Sequence, residues 1–339
     1  MNNSKRYRVA FEPHLDSINK AFNEYFAQEK DIDFSILDKP QRKGNHRFFL
    51  VKALTYRVSM FFKFIRDYDL VHINSAKFGI VAYLASFFNC RYIYTIHFAT
   101  ADERKGSLKN LIYYILETKL LKLVARRASY VTTVSEFCKV ELKKTFGIDT
   151  VVVHNGYDDA AFRLPNVPRM ESEAPSFISV GRLTEYKKPL NVIRFFKKIK
   201  AVYPRAKLLL IGDGDLHDVV VAEIKDNADI QLIRKVMFDQ IPAYYHTADY
   251  FISACESEAF GLVTLEALGC GVYPLVPWKG AFPEIFLNSV FSYDINEPGD
   301  VILPAKAVLE PYREHILQRF KWKDKVGLYY ELYNKAIIK

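Results

Sequence analysis

Short β-branched or aromatic runs alternate with helical stretches along this chain, and that alternation limits its fold more than any other feature. The runs YRVAF (7–11), LVHIN (70–74), RYIYTIH (91–97), YVTTV (130–134) and TVVVH (150–154) are separated by helical stretches at 17–28, 47–66, 107–127 and 136–145. Repeated strand–helix–strand units predict a parallel sheet covered by helices. The segment RLPNVPRMESEAP (163–175) is rich in proline and charge and has no period, so it reads as a linker. Alternation then resumes. Strands are expected at 177–181, 207–212, 230–233, 250–254 and 272–276, and helices at 188–202, 215–226, 239–246 and from about 261. Two further helices are expected near 306–319 and 322–336. The reading is α/β, with two Rossmann-like domains over 1–165 and 166–310 and C-terminal helices over 311–339. Sheets of this kind place ligands at the carboxyl ends of their strands, here expected in a crevice between the domains.

Composition narrows the class. Half of the 339 residues are apolar, with 22 Tyr and 26 Phe, which supports sizeable cores and excludes a disordered chain. Cys90, Cys138, Cys255 and Cys270 form no CxxC pair and no metal-like spacing, so they read as small buried hydrophobes kept reduced. No signal-peptide core stands near the first residues. The longest apolar run, FGIVAYLASFF (78–88), is shorter than the ~20 residues of a membrane span. The expectation is a cytoplasmic protein, soluble or peripheral on the inner face of the membrane.

Charge is uneven. Residues 1–165 hold 26 Lys and Arg against 17 acids, whereas 166–339 hold 22 of each, so the whole excess of +9 lies in the first half. From Arg42 to Arg66 there is no acid, and Arg42, Lys43, Arg47, Lys52, Arg57, Lys63 and Arg66 interleave with phenylalanines. At helical period Val51, Leu54, Val58, Phe61, Phe62 and Ile65 share a face expected to pack on the sheet, with cations to one side. Segment 104–127 is similar, with Arg104, Lys105, Lys109, Lys119, Lys122, Arg126 and Arg127. Solvated helix flanks, docking on an anionic membrane and nucleic-acid binding are all compatible with these cations. The aromatics sit on the apolar face, which disfavours nucleic acid.

Three segments of the second half carry chemistry. In VGRLTEYKKP, Arg182, Lys187 and Lys188 follow a strand end. A guanidinium and an ammonium together suit a diphosphate, although a solvated basic loop has the same composition. In LLLIGDGDL, Gly212 and Gly214 would let a ligand approach the backbone; with neither GK[ST] nor GxGxxG this is a weak signal. In ESEAFGLVTLEALGCG, a helix is expected to start near Gly261 and to offer free amides to an anion. Glu258 and Glu266 flank that start and are better suited to accept from hydroxyl donors. The alternatives are a helix-dipole contact for Glu258 and a buried ion pair for Glu266.

These segments, in this order, resemble the family 4 retaining glycosyltransferases of the GT-B fold. The family's Glu-x7-Glu hallmark is met by Glu258 and Glu266, and its surrounding pattern by Phe260, Gly261, Leu262, Leu265 and Ala267. Its Gly-Arg-Leu…Lys segment matches Gly181, Arg182, Leu183 and Lys187, and its His-Asn-Gly…Asp segment matches His154, Asn155, Gly156 and Asp158. His97 matches the first-domain histidine, and FKWKDKVGLYYELYNKA looks like the Trp-containing helix that crosses back to the first domain.

The resemblance implies that Arg182 and Lys187 hold the donor diphosphate. It implies that Glu266 accepts from the ribose and that Glu258, with the backbone of Phe260 and Gly261, orients the donor sugar. The amides of Leu262 and Val263 would touch phosphate or sugar. Gly212, Gly214, Met237 and Phe238 would lie near the nucleotide, and His97 would face sugar and acceptor. Three departures stand out: EPHLDS (12–17) replaces a Gly-Gly loop, Phe98 stands where the family often has Asp, and Lys188 replaces a glycine. Glu12, His14 and Asp16 therefore form an acceptor loop of different shape.

The expected function is transfer of a sugar, with retention and without a metal or other cofactor, from a UDP- or GDP-linked donor to a glycan or lipid-linked acceptor. The expected setting is cell-surface polysaccharide or lipopolysaccharide synthesis. Peripheral contact with anionic membrane through 42–66 and 104–127 is expected, and nucleic acid is not. A non-catalytic subunit of the same fold and a nucleotide-sugar epimerase or hydrolase are the alternatives.

Overall fold

A computed structural model describes residues 6–38, 46–98, 108–166, 174–287, 291–296 and 302–338. The chain divides into two compact units, Met1–Gly156 with Trp322–Lys339, and Tyr157–Lys321. The division falls at Gly156, nine residues before the expected boundary at 165, because the chain crosses Trp322 there. A Cβ on Gly156 would lie 2.6 Å from the Trp322 Cα. Tyr157 already belongs to the second unit: its amide donates to the Phe320 carbonyl, and it bridges Lys321 in parallel. Residues 311–321 likewise stay with the second unit, so only the last helix joins the first. Of the expected linker, 167–173 lie outside the described residues.

The first unit is a six-stranded parallel sheet. Its strands are β1 (Tyr7–Phe11), β2 (Ile32–Ile36), β3 (Leu70–Ile73), β4 (Arg91–Ile96), β5 (Tyr130–Thr133) and β6 (Val151–Val152), in the order β2-β1-β3-β4-β5-β6. Helices α1 (Asp16–Phe26), α2 (His46–Arg66), α3 (Ala76–Ala85), α4 (Leu108–Ala125) and α5 (Glu136–Phe146) lie between strands. Ser75 and Ser135 cap α3 and α5, their hydroxyls accepting from the Phe78 and Cys138 amides.

Successive strand residues serve opposite faces. Val9, Phe11 and Ile93 join α1 and the C-terminal helix in one core with Phe22, Trp322 and Tyr333; Ala10, Tyr92 and Tyr94 join the other with Phe64, Val81 and Val124. A polar seam crosses the first core. His72 Nδ1 is 2.6 Å from Tyr333 Oη, His72 Nε2 is 2.6 Å from Thr95 Oγ1, and Thr95 continues to Thr132 at 2.6 Å. Burial drives His72 down to a pKa of about 3, so it is a neutral imidazole using both nitrogens.

Helix α2 corrects one expectation. Phe61 and Ile65 pack against the core as expected, but Leu54, Val58 and Phe62 are exposed, and Met60 and Phe64 are the buried residues. The helix is apolar on two sides, and the stripe holding Met60 and Phe64 meets α3, where Phe64 lies edge-on to Phe78 at 5.8 Å. Arg42, Lys43, Arg104 and Lys105 lie outside the described residues.

The second unit holds β7 (Ser176–Val180), β8 (Lys207–Ile211), β9 (Ile230–Ile233), β10 (Tyr250–Ile252) and β11 (Tyr273–Leu275), all parallel in the order β11-β10-β7-β8-β9. Its helices are α6 (Pro189–Val202), α7 (His217–Ile224), α8 (Ile241–Tyr245), α9 (Leu262–Gly269), α10 (Phe282–Phe286) and α11 (Lys306–Gln318), and α12 (Trp322–Ile338) is the helix returned to the first unit. At the amino ends of these strands Asp249, 5% exposed, accepts from the Ser176 amide at 2.8 Å and pairs with Lys306 at 2.5 Å. The chain builds β7, β8 and β9 in one direction, then crosses to β10 on the other side of β7. The β7/β10 gap is therefore the switch point, where the loops leaving the two strands diverge and open a cleft.

Candidate functional site

The cleft at the carboxyl ends of β7 and β10 is lined by Gly181, Arg182, Lys187, Ser253, Glu258 and Val263. Two loops supply these residues. The first leaves β7 and is held from below by the IGDGD turn. The Leu183 amide donates to the Asp213 carbonyl, and the Leu216 amide donates to the Leu183 carbonyl. A Cβ on Gly212 would fall 1.8 Å from the Gly181 oxygen, and one on Gly214 would fall 2.4 Å from the Leu183 oxygen. The close backbone approach expected of these glycines is therefore made by the chain itself, and it fixes the loop that carries Arg182.

The second loop leaves β10 and is gripped by a turn that sequence reasoning missed. Gly280, with φ +64°, comes so near that a Cβ would lie 2.8 Å from the Glu258 amide nitrogen. The Ala281 amide donates to the Glu258 carbonyl. The signal was present as a Lys-Gly pair following a strand end, at 279–280.

Lys187 and Glu258 meet in the cleft, Nζ to Oε2 at 2.6 Å, with Glu258 7% exposed. Burial opposes the Lys187 charge, but the charge and hydrogen bond of Glu258, together with Cys255, outweigh it and hold the ammonium above its ordinary range. Glu258 is thus an ion-pair partner rather than a helix-dipole contact. Next to this pair, Lys188 bonds Glu256, which also takes Lys279 at 2.7 Å. Lys188 sits at φ +51°, a left-handed conformation that favours glycine, and its ion pair helps hold it there. The Tyr186 ring lies 5.3 Å from the Lys187 Nζ, and its hydroxyl donates to the Ser257 carbonyl.

Gly261, at φ +80°, begins α9. The amides of Leu262 and Val263 are in its first turn, where no intrahelical acceptor exists. Phe260 is buried edge-on against Phe320 at 5.5 Å. Glu266 lies one turn further, 9% exposed, and among the described residues no donor reaches its carboxylate. The expected alternative of a buried ion pair is not met. Burial, with the Asp158 charge nearby, raises its pKa to about 8. Met237 and Phe238 are exposed at the end of β9, with Phe238 edge-on to Phe162 at 5.4 Å.

The first unit has its own cluster at the carboxyl ends of β1, β3 and β4. Glu12, expected in an acceptor loop, is 1% exposed, and its carboxylate accepts from the Asn74 amide at 2.7 Å, the Ser75 amide at 2.9 Å and the Ser75 hydroxyl at 2.6 Å. It is a brace for the turn after β3, not a group presented to solvent. Asn74 donates its side-chain amide to the Glu12 carbonyl, which leaves Asn74 Oδ1 facing His97 Nε2 at 2.9 Å. Burial, with His14 and His72 nearby, holds His97 well below its ordinary range, so it is neutral. Its proton then sits on Nε2, and Nδ1 is left as an acceptor. His14 stacks on it at 3.9 Å. Asn74 was not foreseen, though the Asn-Ser pair between strand and helix marked the turn. The Asp16 side chain is outside the described residues.

Two cations and a helix start are gathered at the switch point of a parallel sheet, an arrangement whose charge suits an anionic ligand. Two family models match: Glycosyltransferase Family 4 over residues 25–161 and Glycosyl transferases group 1 over 163–308. The chain belongs to the family 4 glycosyltransferases with the GT-B fold.

An N-acetyl-alpha-D-glucosaminyl L-malate synthase of Bacillus anthracis is 25% identical over 74% of this chain and 67% of its own. An N-acetylgalactosaminyltransferase of Campylobacter jejuni, whose name gives a diphospho-undecaprenol acceptor, is 23% identical over 94% and 90%. A Mycobacterium tuberculosis glycogen synthase is 28% identical, but the chain spans only 54% of its length. Among solved structures, sucrose-phosphate synthase of Thermosynechococcus elongatus aligns with a TM-score of 0.71 at 16% identity, over 97% of this chain and 99% of that one. Anabaena HepE in complex with UDP and glucose aligns at 0.66 and 15%, over 97% and 100%. At these identities the structures establish the shared fold.

Proposed function

We propose that this glycosyltransferase moves a sugar from a UDP- or GDP-linked donor to a glycan or lipid-linked acceptor, with retention and without a metal, in the synthesis of a cell-surface polysaccharide or lipopolysaccharide. The observation that carries the reading is the assembly of Arg182, Lys187, Glu258 and the α9 start around one cleft. Breaking the bond from the sugar C1 to the diphosphate oxygen leaves negative charge on the diphosphate. Arg182 and Lys187 stabilise that charge, each worth ~10²–10³ in rate by analogy with oxyanion donors. The amides of Leu262 and Val263 complete the anion site.

Glu266 accepts from the ribose hydroxyls; its carboxylate, buried and without a donor, is suited to that. Glu258, with the backbone of Phe260 and Gly261, orients the sugar. The acceptor oxygen bonds C1 on the face that the diphosphate leaves, and its proton passes to the departing phosphate. His97 Nδ1 accepts from a sugar or acceptor hydroxyl, with Glu12 and Asn74 fixing its tautomer. Met237, Phe238 and the Gly212–Gly214 turn border the nucleotide. A lipid-linked acceptor is supported by the Campylobacter relative's name and by the cations of α2 and α4, which suit contact with an anionic membrane.

Thermal-shift screening against UDP, GDP and ADP, then their sugars, tests the donor. A native-state ligand raises the melting temperature, and Arg182→Ala or Glu266→Ala should then abolish transfer in a folded protein. Full transfer by either variant sinks the assignment, and an inverted anomer in the product excludes retention.

A further inference from the structure

We infer that the first unit carries a preformed docking face for an anionic bilayer, made by the outer stripe of α2 and the aromatic corner that ends α3. This rests on the lipid-linked acceptor proposed above, and it names the surface that would meet the lipid.

Leu54, Val58 and Phe62 follow one another at four-residue spacing, so they share one side of α2, and all are exposed, Phe62 by 62%. Phe62 touches Phe61 edge-on at 5.4 Å, and Phe61 touches Phe88 at 5.8 Å. The stripe therefore runs into the turn after α3, where Leu84, Phe87 and Phe88 are also exposed, Phe88 by 60%. Single exposed apolar residues are ordinary on a soluble surface, but six large ones on two segments that meet where Phe61 bridges Phe62 and Phe88 form a patch of the kind that marks an interaction site.

The corner is held rigid. Phe87 lies between the Tyr83 ring, 5.4 Å away, and the Arg127 guanidinium, 4.2 Å from its centroid. Arg127 in turn donates from Nε to the Ser86 hydroxyl at 2.9 Å. Arg91 and Arg127 line a pocket beside these rings together with Ser86 and Ser129.

Charge decides the occupant. Residues 46–66 and 76–98 contain no acid, and Lys52, Arg57, Lys63, Arg91 and Arg127 are exposed around the patch. Apolar rings bordered by an excess of cations, with Asp67 after the end of α2 paired to Arg66, match an anionic lipid surface, where the rings enter the interface and the cations meet phosphate. A polar protein partner would not need rings that protrude, and the aromatics form no stacking groove for nucleic acid.

Vesicle co-sedimentation of the full chain tests this, with phosphatidylcholine alone and with about one third phosphatidylglycerol. The wild type should bind the anionic vesicles at least about tenfold better than the neutral ones. The triple variant Phe62→Ser, Phe87→Ser, Phe88→Ser should lose about tenfold or more of that binding, with its melting temperature and its transfer to a soluble acceptor unchanged. Phe62→Ser alone should lose part of it, which keeps the test open should the triple variant misfold. Wild-type binding by the variants overturns the docking face and leaves the lipid-linked acceptor standing. Absence of wild-type binding to any vesicle overturns both, without touching sugar transfer. A wild-type dimer in sedimentation velocity that the triple variant abolishes also overturns the inference, because the face is then an interface between copies.

Discussion

Lys187 Nζ lies 2.6 Å from Glu258 Oε2, although the two residues are 71 positions apart in the chain. Each is the other's main charge partner in a largely dehydrated cleft. Lys187→Met therefore leaves a buried carboxylate uncompensated and should cost roughly 3–5 kcal/mol, read from chemical denaturation. Glu258→Gln with Lys187→Met should cost less than the sum of the two single changes. In the proposed reaction Lys187→Met also lowers turnover by ~10²–10³ beyond its effect on stability. Additive single effects in the double variant would show that the pair is not coupled.

Glu266 gives a signed pH dependence. Its folded pKa is raised to about 8 from 4.5, so the folded protein holds an extra proton between those values. Stability from this group is fully present below 4.5 and falls as pH rises towards 8. Glu266→Gln should flatten that slope in urea titrations. Ribose hydroxyls favour the ionised form, so nucleotide binding should release a proton, and affinity should rise with pH up to about 8. Calorimetry in two buffers of different ionisation enthalpy counts that proton; no release at neutral pH contradicts the ribose role.

Gly212→Ala should be far more damaging than an exposed Gly→Ala. The new methyl would sit 1.8 Å from a backbone oxygen, and no side chain can yield there. The Arg182 loop has to move, at a cost of about 3 kcal/mol or more by the scale of overpacked sites. Nucleotide affinity should fall together with the melting temperature. An intact affinity in a folded variant would mean that the loop is not set by this contact.

Tyr333→Phe removes the hydroxyl bonded to the His72 Nδ1 and should cost about 1–3 kcal/mol. The acid response has its own sign. His72 titrates at about 3 when folded and near 6.5 when unfolded, so its contribution is present above 6.5 and is lost progressively as pH falls towards 3. Acid unfolding followed by near-ultraviolet circular dichroism reads this. Replacing His72 by Gln should remove that part of the acid sensitivity.

The repeated β-α pattern made both sheets legible, since strand runs such as RYIYTIH and KLLLIG carry their own boundaries. Strand β2 was passed over although IDFSI alternates apolar and polar residues as a half-covered strand does, and α3 escaped because it is apolar all round and shows no stripe. In α2 the period was right and the buried face was rotated, with Phe61 and Ile65 packed at its edge, because a helix apolar on two sides leaves that choice to its neighbours. At the candidate site, residue identities could be read from the motifs, but pairing could not. The contacts Lys187–Glu258 and Lys188–Glu256 join residues about 70 apart, and only the β7/β10 switch brings them together. The bracing role of Glu12 was equally hidden, because a carboxylate in a loop looks the same whether it is presented or spent.

Trp322, Tyr329 and Tyr333 fill the core of the first unit, yet they emerge from the ribosome after everything in the second. The half of the protein that is translated first is therefore the half that closes last. Until α12 arrives, Phe22, Phe26 and Ile93 face solvent on an unfinished sheet. That interval, set by the time needed to translate residues 157–338, is when the nascent chain most needs a chaperone.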